Sequence, residues 1–374
     1  MSAQDRSSGL AIRSLAALAL LAGSGCASVS SLRGSDIPDT GIRTSWESAG
    51  IEDARSEFQA VFCAQYAETG GEARNCQEWS WHPAGAPAVP TAAKGRVPDS
   101  ARKPTLVIIP GILGECVDQW VTPFSDGYEA LRRKGYNIHV VKVTGRGSSA
   151  QNARQIHAYM LEHGKNISDA VVVAYSKGLS DFMLALTQPE AAAWRAKVGG
   201  LVSVAGTANG SPLANQAAGL YERVLKSAPW STCKPADGGG VRSISYRQAM
   251  QVRRAFLAMP DRVPVYSIAA VTSQGRANPV LSPFVGALSA IDDRNDGQLL
   301  LEDAVLPGSV LLGIYHADHW SISLPFESSD AWQVKALGTN NHFPRQALIE
   351  ALMLYVPARL AQDHARGAVP PAPR

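Results

Sequence analysis

The 374-residue chain has no HExxH pair among its eight histidines and no CxxC pair among its five cysteines. The first absence removes the helical zinc-protease pattern, and the second removes the usual structural-zinc spacing. Lys and Arg outnumber Asp and Glu only 35 to 32, and no basic cluster interleaves with aromatic residues. Nucleic acid is therefore not an expected partner. There is no internal repeat, and Asp292, Asp293 and Asp318 do not make a calcium loop. No metal and no cofactor are expected. What is present is apolar: 45% hydrophobic against 18% charged residues, which suits a globular chain with a real core.

The first 26 residues read as an export signal and not as fold. Arg6 and Arg13 make a positive start, and LAALALLAG (15–23) is an apolar run too short to span a bilayer as a helix. Small residues then lead to Cys26. LAGSGC resembles the lipobox of bacterial lipoproteins, although Gly23 stands where that box usually has leucine. The resemblance implies a lipid on Cys26 and attachment at the outer membrane or in the periplasm. Cleavage after Ala27 would instead give a secreted protein. Export permits disulfides. Cys63, Cys76, Cys116 and Cys233 allow three pairings, of which Cys63–Cys76 closes a short local loop. Free buried thiols are the alternative.

Residues 27–102 are expected to be linker and a helical extension, with a helix over 52–68 carrying Phe58, Val61, Phe62 and Tyr66. From 103 to 360 strands and helices alternate. The strand readings are TLVIIPGILGEC (105–116), an apolar run ended by Pro110–Gly111, YNIHVVKVTGRG (136–147), DAVVVAYSKG (169–178), VGGLVSVAGTANGSPLA (198–214, strand and turn), VPVYSIAAVT (263–272) and SVLLGIYHADH (309–319). Continuous apolar runs of this kind suit strands buried on both faces. The expected fold class is α/β, a doubly wound, mostly parallel sheet. Residues 213–258 interrupt the alternation with amphipathic pieces near Leu220–Leu225 and Ala249–Phe256. They are expected as a helical cap over the crevice at the strand ends, with a packed scaffold insertion as the alternative. Residues 361–374 are expected as a mobile tail.

AYSKG (174–178) fits [GA]-x-S-x-G, a weak string in itself. Its place between a buried strand and a helix gives it weight. A sharp strand-to-helix turn needs small residues two positions either side of its serine, and Ala174 and Gly178 supply them. Ser176 is thus a candidate nucleophile; an ordinary helix-cap serine is the other reading. A serine hydroxyl needs a base, and the base needs an acid. His319, just past the sixth strand, is the candidate base, with His316 and His342 as competitors. Asp296 is the candidate acid, with Asp292 and Asp293 as competitors. The Ile112 and Lys177 amides are the candidate oxyanion donors. The Lys177 side chain is expected to face solvent and carries no assigned role.

PGILG, AYSKG, the GSPLA turn (210–214), NDG, LPG and DHW together resemble the bacterial lipase/esterase branch of the α/β-hydrolase superfamily. The resemblance covers roughly residues 103–358. It departs from the usual lipase pattern in reading Pro110–Gly111 for His-Gly and AYSKG for GHSxG. It implies an α/β-hydrolase fold and cleavage of an ester or lipid substrate through an acyl-enzyme. An acyltransferase or thioesterase on the same residues stays open. So does a lipid-binding lipoprotein with a non-catalytic hydrolase fold.

Overall fold

The structure, a computed structural model, describes residues 46–83, 103–216, 219, 233–335 and 342–366. Cys26 and the Leu220–Leu225 piece lie outside the described residues. Among the described residues seven strands form one sheet: β1 (Glu52–Asp53), β2 (Leu106–Ile109), β3 (Ile138–Val140), β4 (Ala170–Tyr175), β5 (Val198–Val204), β6 (Val265–Val271) and β7 (Val310–His316). Their order is β1-β7-β6-β5-β4-β2-β3, and every pairing is parallel. The chain lays β3 on one side of β2 and then returns to lay β4 on the other. That reversal opens a crevice between the carboxyl ends of β2 and β4, the usual ligand position in open α/β sheets.

The apolar strand runs feed two cores by simple alternation. Leu106, Ile108, Val171 and Val173 enter one core, and Val107, Ile109, Val172 and Ala174 enter the other. The first core is closed by α1 (Arg55–Glu68) and α12 (Arg345–Ala365), through Phe58, Phe62, Leu348 and Leu352. The second is closed by α4 (Ser149–His163), α5 (Lys177–Thr187) and α8 (Tyr246–Leu257), through Ile156, Met160, Phe182 and Phe256. Ser148 caps α4, its hydroxyl accepting from the Gln151 amide at 3.1 Å. Among the described residues no helix is long and apolar enough to cross a membrane.

Three expectations change. The helix expected from residue 52 begins at Arg55, because Glu52 and Asp53 pair with Val310 and Leu311 as an edge strand. A two-residue strand leaves no periodicity to detect. Ser80 bridges to Tyr315, so this part of the expected N-terminal extension packs against the sheet. Residues 361–365, expected in the tail, continue α12 to Ala365, with Leu360 still in the core. The third change concerns the cap. Its Ala249–Phe256 piece is scaffold, because α8 lies against α5 and buries Phe256 completely. Ala214, Val241 and Ile244 do pack on Ile112 near the crevice.

Both disulfide pairings are Cys63–Cys76 and Cys116–Cys233. The first ties α1 to the short helical turn Ala73–Trp79.

The scaffold role of α8 can be tested with Phe256→Ala. Truncating a fully buried phenylalanine costs about 3–5 kcal/mol. The denaturant midpoint should fall accordingly with m unchanged, whereas a residue on a detachable cap would leave it nearly unmoved.

Candidate active site

β4 ends at Tyr175, and the chain turns sharply at Ser176, whose backbone lies at φ 55°, ψ −128°. A non-glycine residue there is strained. The turn is held from both sides. The Ser176 amide donates to the Val204 carbonyl at 3.1 Å, and the Ser176 carbonyl accepts from the Thr207 amide at 3.1 Å. Gly178 is required by space: a Cβ there would stand 2.5 Å from the Ile109 carbonyl oxygen and 2.8 Å from that of Pro110. A Cβ on Gly111 would stand 2.8 Å from the Ser176 Cβ and 3.3 Å from its Oγ. The loop after β2 therefore comes directly up to the serine.

The structure brings Ser176, His319 and Asp296 together. His319 Nε2 lies 2.9 Å from Ser176 Oγ, and its Nδ1 lies 2.7 Å from Asp296 Oδ2. All three side chains are buried. A carboxylate only accepts, so Nδ1 carries the ring hydrogen and Nε2 keeps a lone pair facing the serine hydroxyl. The Asp296 Oδ1 accepts from the amides of Gln298 and Leu299 at 2.8 and 2.7 Å, which fixes the carboxylate. The His319 amide donates to the Asp296 carbonyl at 2.8 Å, and Tyr175 donates its hydroxyl to the His319 carbonyl at 2.8 Å. The role of Tyr175 was not legible as chemistry in the sequence; its place immediately before the serine was the only signal.

The competitors stand elsewhere. His316 and His342 line a different cleft, beyond the loop that carries His319. Asp292 is paired with Arg294 at 2.6 Å, and Asp293 is exposed. Asp318 is buried and accepts from the amides of Asn278, Trp320 and Ser321, so it shapes the turn beneath His319. Burial raises its pKa above the ordinary carboxylate value.

The Ile112 and Lys177 amides have no hydrogen-bond acceptor among the described residues, while the neighbouring Leu113 amide donates to Gly145. Leu113 itself is left-handed at φ 62°, which turns the backbone just after Ile112. Ile112, Leu113, Val117, Val121, Leu324 and Phe326 make the apolar wall of the pocket onto which Ser176 and His319 open.

The Lys177 side chain does not face solvent. It is buried, and its ammonium lies 2.6 and 2.8 Å from the two Asp181 oxygens, one helical turn along α5. Asn152 of α4 donates to the same carboxylate at 2.7 Å. A lysine next to a serine turn reads as a surface residue until the packing of α4 across α5 is known.

No protein-family model and no curated protein matches the chain. Among solved structures it is similar to the metagenomic carboxyl esterase MGS0156. The two share 33% identity over 86% of this chain and 97% of that one, with a TM-score of 0.73. The chain belongs to the esterase/lipase branch of the α/β-hydrolase superfamily. The chain is also similar to the Bacillus licheniformis lipase BlEst2 in its propeptide form, at 20% identity and a TM-score of 0.51, over 69% of this chain and 52% of that one. That second likeness bears on the fold alone. As a member of this branch, the esterase is a carboxylic ester hydrolase, which sets aside the non-catalytic alternative.

The buried pair on α5 gives a test. Lys177→Met leaves Asp181 charged and unpaired in the interior and should cost about 3–5 kcal/mol in denaturant unfolding. Lys177→Met combined with Asp181→Leu should recover most of that loss, since a well-packed apolar pair replaces a buried ion pair at little cost.

Proposed function

We propose that the esterase hydrolyses carboxylic esters through an acyl-enzyme on Ser176. The observation that carries this is the unbroken Ser176–His319–Asp296 hydrogen-bond line at 2.9 and 2.7 Å. His319 Nε2 takes the Ser176 proton as Oγ attacks the ester carbonyl. Asp296 stabilises the imidazolium and holds the ring in the productive tautomer. The negative charge that forms on the carbonyl oxygen falls to the Ile112 and Lys177 amides, aided by the N-terminal dipole of α5. The imidazolium then protonates the leaving alcohol. In the second half-reaction His319 activates water, which releases the acid and restores the serine. The apolar wall of Leu113, Val121, Leu324 and Phe326 suits an alkyl portion of the substrate. A reading as acyltransferase on the same residues differs only in the acceptor, and no feature of the pocket favours it.

Hydrolysis of a p-nitrophenyl ester series tests the chemistry. Ser176→Ala should be silent on every chain length, and Asp296→Asn should lower kcat by roughly 10⁴-fold with a much smaller change in KM. An activated organophosphate should label wild type once, on the peptide holding Ser176. Full turnover by Ser176→Ala would remove the proposal.

We also propose that the protein is exported and carries a lipid on Cys26. The two disulfides support an oxidising compartment. The full chain expressed in bacteria with labelled palmitate should incorporate label, and Cys26→Ser should not. Equal labelling of the two would show that Cys26 is not the lipidated residue.

A further inference from the structure

The loop that carries His319 is a wall between two cavities. His319 and Trp320 line the pocket at Ser176, whereas Asp318 and Ser321 line a cleft on the other side. That cleft holds about 750 Å³ and sits at the carboxyl ends of β6 and β7, where Val271 and His316 finish their strands. Its size falls in the range of small-molecule sites, and its position is one where open α/β sheets bind ligands.

Its lining gathers cation-forming groups. Arg276, His82, His316 and His342 all face it. Arg276 makes no ion pair among the described residues. His82 Nδ1 is buried with no hydrogen-bond partner among them. Burial holds the His316 pKa below the ordinary imidazole value, and the nearby charges of Arg276 and His82 lower it further. The Arg276 guanidinium beside this void disfavours a protonated imidazole at His316, and a bound counter-charge removes that cost. The acids present do not supply it. Glu78 is exposed at the rim, and the Asp318 carboxylate is taken up by three backbone amides.

We propose that this cleft is a second binding site, which takes a small oxyanion against Arg276, His82 and His316. A guanidinium grips carboxylate and tetrahedral oxyanions alike, and imidazoles add hydrogen bonds and charge as they protonate. The shared chemistry has two sources: a carboxylate, such as the acid that ester cleavage releases, or a phosphate-type group. Because the cleft and the Ser176 pocket share a wall, occupancy would press on the turn beneath His319.

The test is a proton NMR titration of the histidine ring signals with sulfate and, separately, with acetate; both anions keep their charge between pH 6 and 8. Assignment rests on His316→Gln and His82→Gln. The expected result is a saturable shift of the His316 and His82 signals with at least one anion. The midpoint should rise at least about tenfold in Arg276→Gln, which loses the bidentate charged donor. Binding should tighten as the pH falls towards 6, because a bound anion favours the protonated form of His316, which otherwise faces Arg276 and His82 with Glu78 at the rim and Asp318 buried behind. A response to sulfate alone assigns a phosphate-type ligand, and a response to acetate assigns a carboxylate. Arg276→Gln should keep its ester hydrolysis, which shows that the fold is intact. No saturable shift with either anion, or the same midpoint in Arg276→Gln, would overturn the proposal.

Discussion

The backbone at Ser176 is the constraint from which the rest of the site is measured. A serine at φ 55°, ψ −128° stores about 1–3 kcal/mol of local strain, and it stays there only if its surroundings over-determine it. They do so through the sheet. β4 is buried along its whole length, and its neighbour β5 takes the Ser176 amide at Val204. Thr207 holds the carbonyl, and the carbonyls of Ile109 and Pro110 leave room at position 178 for hydrogen alone. The strain is therefore carried by two core strands. With the serine fixed to them, the loop after β2 can approach it closely, and the helix that follows points its first amide at the same space.

The imidazole is fixed with comparable economy. Two successive turns do it, each built around an aspartate that accepts backbone amides. Asp296 binds Gln298 and Leu299 with one oxygen and His319 with the other. Asp318 binds Trp320 and Ser321 with one oxygen and Asn278 with the other. The first carboxylate faces the ring and the second lies under its backbone. Side chains that accept two or three amides lose their freedom before a substrate arrives, so in the proposed mechanism the ring needs no reorganisation when charge develops on it.

Much of this was legible in the sequence, and the parts that were not have identifiable causes. The six longer strands stood out because a strand buried on both faces is apolar at every position, as AVVVAY is. Ser176 stood out because the turn forces small neighbours at fixed offsets. Choosing His319 over His316 rested on its lying past the strand end; the structure turns the two rings into different cavities. Glu52–Asp53 was invisible because two residues carry no period. α8 was misplaced because its apolar stripe has the same spacing whether the helix covers a crevice or packs on a neighbour. Lys177 was misread because side-chain polarity alone says surface, and its partner Asp181 becomes visible as a buried pair only when Asn152 of α4 is brought across it.

The segment that returns at Cys233 fixes the backbone of Ile112, the proposed oxyanion donor, although it lies in a loop. Three strips of chain lie side by side here: 111–117, 145–148 and 233–241. The first two touch so closely that a Cβ on Gly145 would stand 2.7 Å from the Leu113 Cα, and the Leu113 amide donates across to the Gly145 carbonyl. The third is fastened to both. Cys233 is bonded to Cys116, the Lys234 amide donates to Glu115, and Asp237 accepts from the Ser148 amide and hydroxyl. The Gly240 amide then donates to the Arg146 carbonyl, and Val241 packs on Ile112. Closing a loop of 117 residues with the Cys116–Cys233 bond removes unfolded-state freedom worth about 4–5 kcal/mol in the chain-entropy view. In the folded state the bond fastens the third strip beside Ile112. An amide on a mobile loop would have to be ordered during each turnover, and that cost would appear in the barrier. Clamped between two other strips, it is ordered once, on folding and oxidation, and the barrier is spared.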